Sequence, residues 1–120
     1  MRIRVVIADD HRILREGLAA ILNRRGVRVI GQASNGEEAI QMARELEPHI
    51  LLMDLEMPVL DGNEATRQIK SLHPSCRVIM LTVHDYPSAR VAAHQSGADA
   101  FIVKGAPVES IVQTISKRKE

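Results

Sequence analysis

Five short apolar runs alternate along the chain with segments in which apolar residues recur every three or four positions. A short apolar run without helical periodicity is typical of a strand buried on both faces of a parallel sheet, and the wider spacing is typical of an amphipathic helix. The alternation therefore predicts an α/β chain with one doubly wound, five-stranded parallel sheet. The predicted strands cover residues 3–8, 27–33, 50–53, 78–81 and 100–103.

The helices between these strands are predicted from their apolar positions and from the residues that commonly begin or end a helix. Asn35 is a suitable N-cap for the second helix, Gly97 is suited to end the fourth, and Pro107 fits the first turn of the fifth. The residues predicted to face inward are Leu14, Leu18 and Ile21 or Leu22 in the first helix, Ala39, Ile40, Ala43 and Leu46 in the second, Ala65, Ile69 and Leu72 in the third, Val91 and Ala92 in the fourth, and Val108, Ile111, Val112 and Ile115 in the fifth.

The order of the strands follows from the handedness of the connections between them. Parallel strands are joined by right-handed crossovers, and helices on both faces of a sheet give a three-layer sandwich. These rules favour the flavodoxin-like order 2-1-3-4-5. The order reverses between strands one and three, and ligands of such sheets bind beyond the carboxyl ends of the strands at that point.

Composition limits the size of the domain and excludes several classes of function. The 120 residues suffice for a single domain, which we predict to span residues 1–120, and no apolar run approaches the length of a membrane span. The net charge of +1 and the presence of only two aromatic residues, Tyr86 and Phe101, give no support for a nucleic-acid interface in this segment. The single cysteine, Cys76, suits a reducing compartment such as the cytoplasm.

Polar residues stand at the ends of four of the predicted strands. Asp9 and Asp10 follow the first strand and Asp54 the third, while Thr82 follows the fourth and Lys104 the fifth. The carboxyl ends of parallel strands share one edge of the sheet, so we expect these side chains to lie together. Carboxylates bind Mg²⁺ and can act as covalent nucleophiles, and a hydroxyl and an ammonium can bind phosphoryl oxygens. The set predicts a Mg²⁺-assisted phosphoryl-transfer site.

Each of these residues also has an ordinary structural interpretation. An aspartate after a strand is commonly the N-cap of the next helix, which applies to Asp9 and Asp10. A lone lysine such as Lys104 is usually a surface residue, and a lone threonine such as Thr82 fits a cap or a turn. The phosphoryl-transfer interpretation depends on the presence of all these polar residues, each at the end of its own strand and in this order along the chain.

These residues lie in longer segments that closely resemble the receiver domain of two-component response regulators, the CheY-like superfamily. The resemblance extends from Ile3 to about Ser116 and implies a CheY-like fold. It also implies a signalling domain that promotes only its own phosphorylation and dephosphorylation. The matching segments are Ile7-Ala8-Asp9-Asp10-His11, Leu52-Met53-Asp54-Leu55-Glu56-Met57-Pro58, Asp61-Gly62, Leu81-Thr82 and Gly97-Ala98-Asp99-Ala100-Phe101-Ile102-Val103-Lys104.

The resemblance implies a role for each residue of the site. Asp54 would accept a phosphoryl group from the phosphohistidine of a sensor histidine kinase. Thr82 and Lys104 would bind the phosphoryl oxygens, and Phe101 would turn inward as Thr82 moves toward the phosphate. The implied ligands of Mg²⁺ are Asp9, Asp10, Asp54 and the backbone carbonyl of Glu56.

Three neighbouring residues are predicted to modulate the rates of the reaction. Val83 follows Thr82 where many receivers have alanine, and its larger side chain is expected to restrict access of phosphate. Glu56 and His84 stand at positions that flank the path of hydrolytic water in the family. We therefore expect substitutions at Glu56 and His84 to change the rate of dephosphorylation, and Val83 to affect the lifetime of the phosphorylated state.

Other segments, among them Leu81-Thr82-Val83-His84-Asp85, resemble receivers that carry a LuxR-type helix-turn-helix output domain. This resemblance implies a transcription regulator whose DNA-binding domain lies beyond residue 120, so that this chain would contact DNA only through that domain. A sensor kinase and, after phosphorylation, a second copy of the chain are the expected partners. The basic run Lys117-Arg118-Lys119 is interpreted as a helix end or the start of a linker.

Three alternatives to this interpretation remain. A stand-alone receiver of a phosphorelay or motility pathway would have the same site residues. A haloacid-dehalogenase-type phosphatase places its nucleophile on the first core strand in an Asp-x-Asp motif, whereas the motif here is Asp54-Leu55-Glu56 on the third. A receiver that signals without phosphate is disfavoured because all the site residues are present.

Overall fold

The five strands form one parallel sheet in the order β2-β1-β3-β4-β5, which confirms the predicted fold class and topology. They are β1 (Arg4–Ala8), β2 (Arg28–Ala33), β3 (Ile50–Asp54), β4 (Arg77–Thr82) and β5 (Ala100–Val103). The computed structural model describes residues 2–117 of the chain. Within that range the helices are α1 (Arg12–Arg24), α2 (Gly36–Leu46), α3 (Gly62–Leu72), α4 (Pro87–Ser96) and α5 (Val108–Ser116).

Alternate residues of the strands pack into two cores, one on each face of the sheet. Val6, Leu51 and Met53 pack on the face covered by α2, α3 and α4. Val5 and Leu52 pack on the opposite face, which α1 and α5 cover. Each fully buried side chain of this size contributes about 1.5–3 kcal/mol relative to an exposed one. Because β1, β3 and β4 are buried on both faces, all positions between the first and last residues of these strands are apolar.

The predicted inward faces of the first three helices are partly wrong. α1 buries Ala19 and the predicted Leu22, but Leu14 is 59% exposed and lines an open cleft. Leu46 and Leu72, at the last positions of α2 and α3, are exposed as well. Periodicity identifies the apolar side of a helix, but it does not show where along that side the sheet ends.

The inward face of α4 differs from the prediction. Val91 is 54% exposed, and the helix instead buries Ala89, Ala93 and Ser96. The Ser96 hydroxyl donates to the carbonyl of Ala93 at 2.7 Å, which satisfies this polar group inside the protein. Small buried residues give α4 little apolar contact area, and Val91, the larger apolar residue of the helix, faces solvent.

The helix ends mostly follow the residues predicted to form them. Asn35 accepts a hydrogen bond from the Glu38 backbone N–H at 2.9 Å as the N-cap of α2. Gly97 has a φ of 105° and ends α4 in the left-handed region that favours glycine. Pro107 is the N-cap of α5, one residue before the first turn predicted to contain it. No helix among residues 2–117 combines the length and apolar character needed to cross a membrane.

Arg77, the first residue of β4, is bonded to the last turn of α5. Its guanidinium donates to the carbonyl oxygens of Thr114 at 3.0 Å and Ile115 at 3.3 Å. Helix carbonyls at a C-terminus lack partners within the helix, and a cation there is favoured by the helix dipole. Lys117 follows this turn, and the rest of the predicted basic run, residues 118–120, lies outside the described residues.

Candidate functional site

The carboxyl ends of four strands bring the predicted site residues to one edge of the sheet. Asp9 follows the last residue of β1, and Lys104 follows that of β5. Asp54 and Thr82 are themselves the last residues of β3 and β4. Asp9, Asp54 and Thr82 are buried, whereas Asp10 is exposed. The strand ends therefore position one accessible and two buried carboxylates at this edge.

Lys104 joins the two buried carboxylates. Its Nζ lies 2.8 Å from Oδ2 of Asp9 and 3.4 Å from Oδ1 of Asp54. The lysine side chain is only 16% exposed, so the alternative interpretation of Lys104 as a surface residue is wrong. Its backbone N–H donates to the carbonyl of Thr82 at 2.7 Å, which fixes the start of the side chain relative to β4.

Burial and charge act in opposite directions on the ionisable groups of the site. Burial of Asp54 disfavours its carboxylate, Lys104 opposes this effect, and Asp9 and Asp10 add to it, so that the pKa of Asp54 is raised to about 6. Burial lowers the pKa of Lys104, but hydrogen bonds and charge attraction from Asp9 and Asp54 outweigh burial and raise it. The edge thus carries negative charge that the single ammonium only partly balances.

His11 extends the acidic cluster, and the sequence analysis did not assign it to the site. One ligand atom from each of Asp9, Asp10, His11 and Asp54 can be chosen so that all lie within 4.8 Å of one another. Nδ1 of His11 is 3.3 Å from Oδ1 of Asp10 and 3.4 Å from Oδ1 of Asp9. The imidazole is 65% exposed and so lies toward the solvent. Its position directly after the acid pair was the available signal in the sequence.

The two aspartates after β1 do not cap the following helix. The N-cap of α1 is His11, and it makes no side-chain capping hydrogen bond. Oδ1 of Asp9 accepts the backbone N–H of His11 at 2.9 Å, before the first helical residue, Arg12. The N-cap interpretation of Asp9 and Asp10 is therefore wrong, and the second oxygen of Asp9 is bound to Lys104.

Arg15 is a further residue near the site that sequence reasoning missed. Its Nη1 donates to the backbone carbonyl of Asp9 at 2.7 Å, and its Nε donates to Oε1 of Gln32 at 3.1 Å. The backbone N–H of Asp9 donates to the carbonyl of Ala33 at 3.0 Å. These bonds fix the Asp9 backbone between α1 and β2. Arg15 and Gln32 lie far apart in sequence, so only the fold shows that they meet.

The loop after β4, residues 83–86, contains two of the predicted rate-modulating residues. Oγ1 of Thr82 accepts the backbone N–H of His84 at 3.2 Å, so the threonine also has the turn role considered above. A hydroxyl that accepts one hydrogen bond can still donate its own hydrogen. Nε2 of His84 contacts Oε1 of Glu56, which lies in the loop after β3. Val83 is 66% exposed and lines a cleft of about 350 Å³ beside Lys104.

Two glycines hold the loop after β3, residues 55–61, close to the backbone of the site. A Cβ atom on Gly62 would lie 2.2 Å from the carbonyl oxygen of Asp54, and one on Gly36 would lie 2.2 Å from that of Leu60. Gly36 also donates its N–H to Leu60 at 3.1 Å. Only glycine permits such approaches. This loop forms part of a cleft of about 360 Å³ beside the acidic cluster, lined by Asp10, Glu56, Met57, Pro58 and Asp61.

Phe101, the predicted switch residue, lies in β5 on the side of the sheet that faces α4. Its ring is half-buried against the core formed with α2, α3 and α4. The guanidinium carbon of Arg90 in α4 lies 4.7 Å from the centre of the ring. Arg90 also donates to Oδ1 of Asp85 in the loop after β4 at 2.9 Å. The side chain of Arg90 thus covers the outer face of the aromatic ring.

Proteins with similar sequences and structures are response regulators. The family model of the response regulator receiver domain matches residues 5–116. The transcriptional regulatory protein LnrK of Bacillus subtilis is 42% identical over 114 residues, which are 94% of this chain and 52% of LnrK. The crystal structure of a LuxR-family two-component response regulator from Aurantimonas sp. SI85-9A1 has a TM-score of 0.91 at 34% identity, over 96% of this chain and 83% of that one.

A further similar structure is that of a response regulator protein from Burkholderia pseudomallei with a phosphorylated aspartic acid, a calcium ion and citrate. Its TM-score is 0.87 at 30% identity, over 96% of this chain and 67% of that one. The chain spans about half the length of the curated relatives it matches. The strand order, the residues at the strand ends and the extent of the family match agree with one another. This chain belongs to the response regulator receiver domain family and is similar to its LuxR-type members.

Proposed function

We propose that Asp54 is the phosphoacceptor of this receiver domain and that Thr82 and Lys104 assist the transfer. The observation that carries the proposal is the position of the Lys104 ammonium between the carboxylates of Asp9 and Asp54. An ammonium in contact with Asp54 is within reach of a phosphoryl group attached to that carboxylate, and charge-assisted bonds to phosphate are strong. The similar Burkholderia protein that contains a phosphorylated aspartic acid supports the same assignment.

The donor set at the site fits Mg²⁺. The carboxylates of Asp9, Asp10 and Asp54 provide hard oxygen ligands within 4.8 Å of one another, and Mg²⁺ prefers such ligands. Burial raises the pKa of Asp54, the charges of Asp9 and Asp10 add to this effect, and Lys104 opposes it. We infer that Asp9, Asp10, Asp54 and the backbone carbonyl of Glu56 hold the ion. Bound there, Mg²⁺ would neutralise part of the negative charge on the phosphoryl group during transfer.

Residues of the chain supply the nucleophile and bind the transferred group. An Oδ atom of Asp54 forms a bond to phosphorus as the bond from phosphorus to the kinase histidine nitrogen breaks, and the electron pair of that bond remains on the imidazole. Lys104 binds one oxygen of the resulting aspartyl phosphate, and the hydroxyl of Thr82 donates to another. In this proposal the domain promotes only its own phosphorylation and dephosphorylation and is not an enzyme for a separate substrate.

We further propose that Glu56, Val83 and His84 set the lifetime of the aspartyl phosphate. Glu56 and His84 contact each other from the loops after β3 and β4, and these loops border the site on two sides. Val83 lines the cleft on the Lys104 side. In this proposal the three residues control the approach of a water molecule or a small phosphate donor to Asp54.

The receiver is proposed to control transcription within a longer cytoplasmic protein. The names of LnrK and of the LuxR-family structure from Aurantimonas support this setting. A sensor histidine kinase would donate the phosphoryl group, and the phosphorylated domain would form a homodimer. An output domain beyond residue 120 would bind the DNA, because the net charge of +1 on this chain gives no electrostatic support for DNA binding by the receiver itself.

The test of the phosphoacceptor is the intact mass of the protein after incubation with acetyl phosphate, with and without Mg²⁺. The wild type is expected to gain one phosphoryl group only when Mg²⁺ is present. Asp54→Asn is expected to gain none, and Asp85→Asn, which removes an exposed carboxylate near the site, is expected to remain competent. A gain by Asp54→Asn, or a wild-type gain that does not need Mg²⁺, would contradict the proposal.

A further inference from the structure

Arg90 connects three elements on the α4 side of the site. It lies in the first half of α4, and its Nε and Nη2 atoms are 2.9 Å and 2.8 Å from Oδ1 of Asp85 in the loop after β4. Its guanidinium carbon lies 4.7 Å from the centre of the Phe101 ring in β5. One side chain therefore joins a loop, a helix and a strand.

The amino-terminal half of α4 has few other strong attachments among the contacts described for it. Its N-cap, Tyr86, makes no side-chain capping hydrogen bond. The buried residue in this half is Ala89, whose small side chain contributes little apolar area. A helix end held in this way has low local stability, so the bonds of Arg90 form a large part of its attachment.

The loop after β4 links these contacts to the phosphoacceptor edge. The backbone N–H of His84 donates to Oγ1 of Thr82 at 3.2 Å, and Asp85 is the next residue. If the Thr82 hydroxyl moves toward a phosphoryl group on Asp54, the segment that carries Asp85 moves with it. The ion pair with Arg90 and the contact of Arg90 with Phe101 oppose that movement.

We propose that Arg90 is a latch that stabilises the unphosphorylated arrangement of the loop after β4, α4 and Phe101. The inference rests on the proposed function of Asp54 as phosphoacceptor. A cation over an aromatic ring and an exposed ion pair together bias a two-state equilibrium by about 3- to 30-fold. Arg90 acts through Asp85 and Phe101 and is a positioning residue. Without the latch, the conformation that accepts a phosphoryl group is populated more often.

The test is the initial rate of phosphorylation by acetyl phosphate at saturating Mg²⁺. If acetyl phosphate reacts only with a minor conformation of the domain, the rate of phosphorylation is proportional to the population of that conformation. Arg90→Ala is expected to raise the rate by about 3-fold or more, and Arg90→Lys, which keeps a cation at the position, by less. Arg67→Ala is the matched control, because Arg67 is an exposed helical arginine paired with Glu64. Its rate is expected to equal that of the wild type.

A rate for Arg90→Ala that equals or falls below the wild-type rate would overturn the latch, since a purely structural contact would slow the reaction when lost. Amide hydrogen exchange of the unphosphorylated protein gives a readout that does not depend on phosphoryl transfer. Residues 83–93 and 100–103 are expected to exchange faster in Arg90→Ala than in Arg67→Ala, and equal exchange would also overturn the proposal. If the wild type gains no phosphoryl group, the proposed function fails, and the exchange comparison alone decides about the latch.

Discussion

The energetic cost of ionising Asp54 arises in the folded state. In an unfolded chain an aspartate has a pKa of about 3.9, whereas burial beside Asp9 and Asp10 raises the pKa of Asp54 to about 6. A carboxyl with a raised pKa adds stability that is fully present below its unfolded pKa and is lost as the pH rises through its folded pKa. Between these two values the folded state binds more protons than the unfolded state. The metal-free domain is therefore destabilised at neutral pH by this one group.

Asp54→Asn is expected to stabilise the metal-free domain. The amide does not ionise, so the free energy of unfolding should rise by about 1–3 kcal/mol at about pH 8, and by much less near pH 4 where the aspartate is also neutral. Urea unfolding at both pH values, in the presence of a chelator, measures the difference. The exposed substitution Glu45→Gln serves as a control with little change at either pH. An increase in the free energy of unfolding that is the same at both pH values would show that ionisation of Asp54 is not its cause.

The contact between Glu56 and His84 predicts that the two residues act on dephosphorylation as a pair. The contact between the two side chains closes the gap between the two loops. Glu56→Ala and His84→Ala are therefore each expected to speed loss of the phosphoryl group. An exposed ion pair has a strength that corresponds to an increase of about 2- to 5-fold in this rate. The double substitution should then be no faster than the faster single one. The decay of the phosphorylated mass with time measures these rates. Fully additive effects would show that the contact has no influence.

At the scale of elements, the loop after β3 is held by backbone approaches that leave no space for a side chain. A Cβ atom at Gly62 would lie 2.2 Å from the carbonyl oxygen of Asp54, which is backbone and cannot rotate away. Gly62 also donates its N–H to the carbonyl of Leu55 at 2.9 Å, which ties the first residue of α3 to the residue after β3. The position of α3 and the position of the Asp54 carboxylate are therefore coupled.

Gly62→Ala is expected to lower the free energy of unfolding by about 1–3 kcal/mol, because the backbone must shift to admit the methyl group. The same shift should reduce phosphorylation of Asp54. Gly17→Ala is the matched control, since Gly17 lies in α1 with no atom within 4 Å of an added Cβ, and it should gain about 0.5–1 kcal/mol as a helix-interior glycine. Chemical denaturation and the intact-mass assay measure the two effects. Equal stability changes for the two variants would contradict the close approach.

The elements that sequence reasoning located well are those whose environment is uniform. The central strands β1, β3 and β4 are buried on both faces, and the ends of all five strands differ from the prediction by no more than one residue. The buried faces of the helices were harder to predict. In α4, apolar residues lie on two sides of the helix. The side with Ala93 packs against the sheet, and Val91 on the other side faces solvent.

At the site, the topology of the sheet is sufficient to bring the strand ends together. The contacts of His11 and Arg15 depend on side-chain directions, which a one-dimensional pattern does not contain.

At the scale of the molecule, charge is distributed unevenly. The chain has a net charge of +1, yet three carboxylates meet at one edge of the sheet with a single lysine between two of them. A ligand that binds only the folded state stabilises it by mass action. A divalent cation at this edge should therefore raise the stability of the entire domain and should relieve the cost of ionising Asp54.

Mg²⁺ is expected to raise the thermal midpoint progressively with its concentration. The free energy of unfolding should increase by about 2.7 kcal/mol when the ion is at 100 times its dissociation constant. Asp10→Asn should shift this dependence to higher Mg²⁺, because one carboxylate ligand is replaced by an amide. Differential scanning calorimetry over a Mg²⁺ series, with KCl at matched ionic strength as the control, measures the effect. If KCl raised the thermal midpoint as much as Mg²⁺ does, the carboxylates of Asp9, Asp10 and Asp54 would not form a Mg²⁺ site.

The bond between Arg77 and the last turn of α5 has a mechanical consequence for the molecule. Arg77 and Thr82 are the two ends of β4, so one strand about 17 Å long connects the Thr82 hydroxyl with the carboxyl-terminal end of α5. Residues 77–81 of this strand pair with β3, and residues 79–82 pair with β5. The path from Thr82 to the end of α5 therefore runs through one paired strand and the Arg77 guanidinium, without passing through any loop.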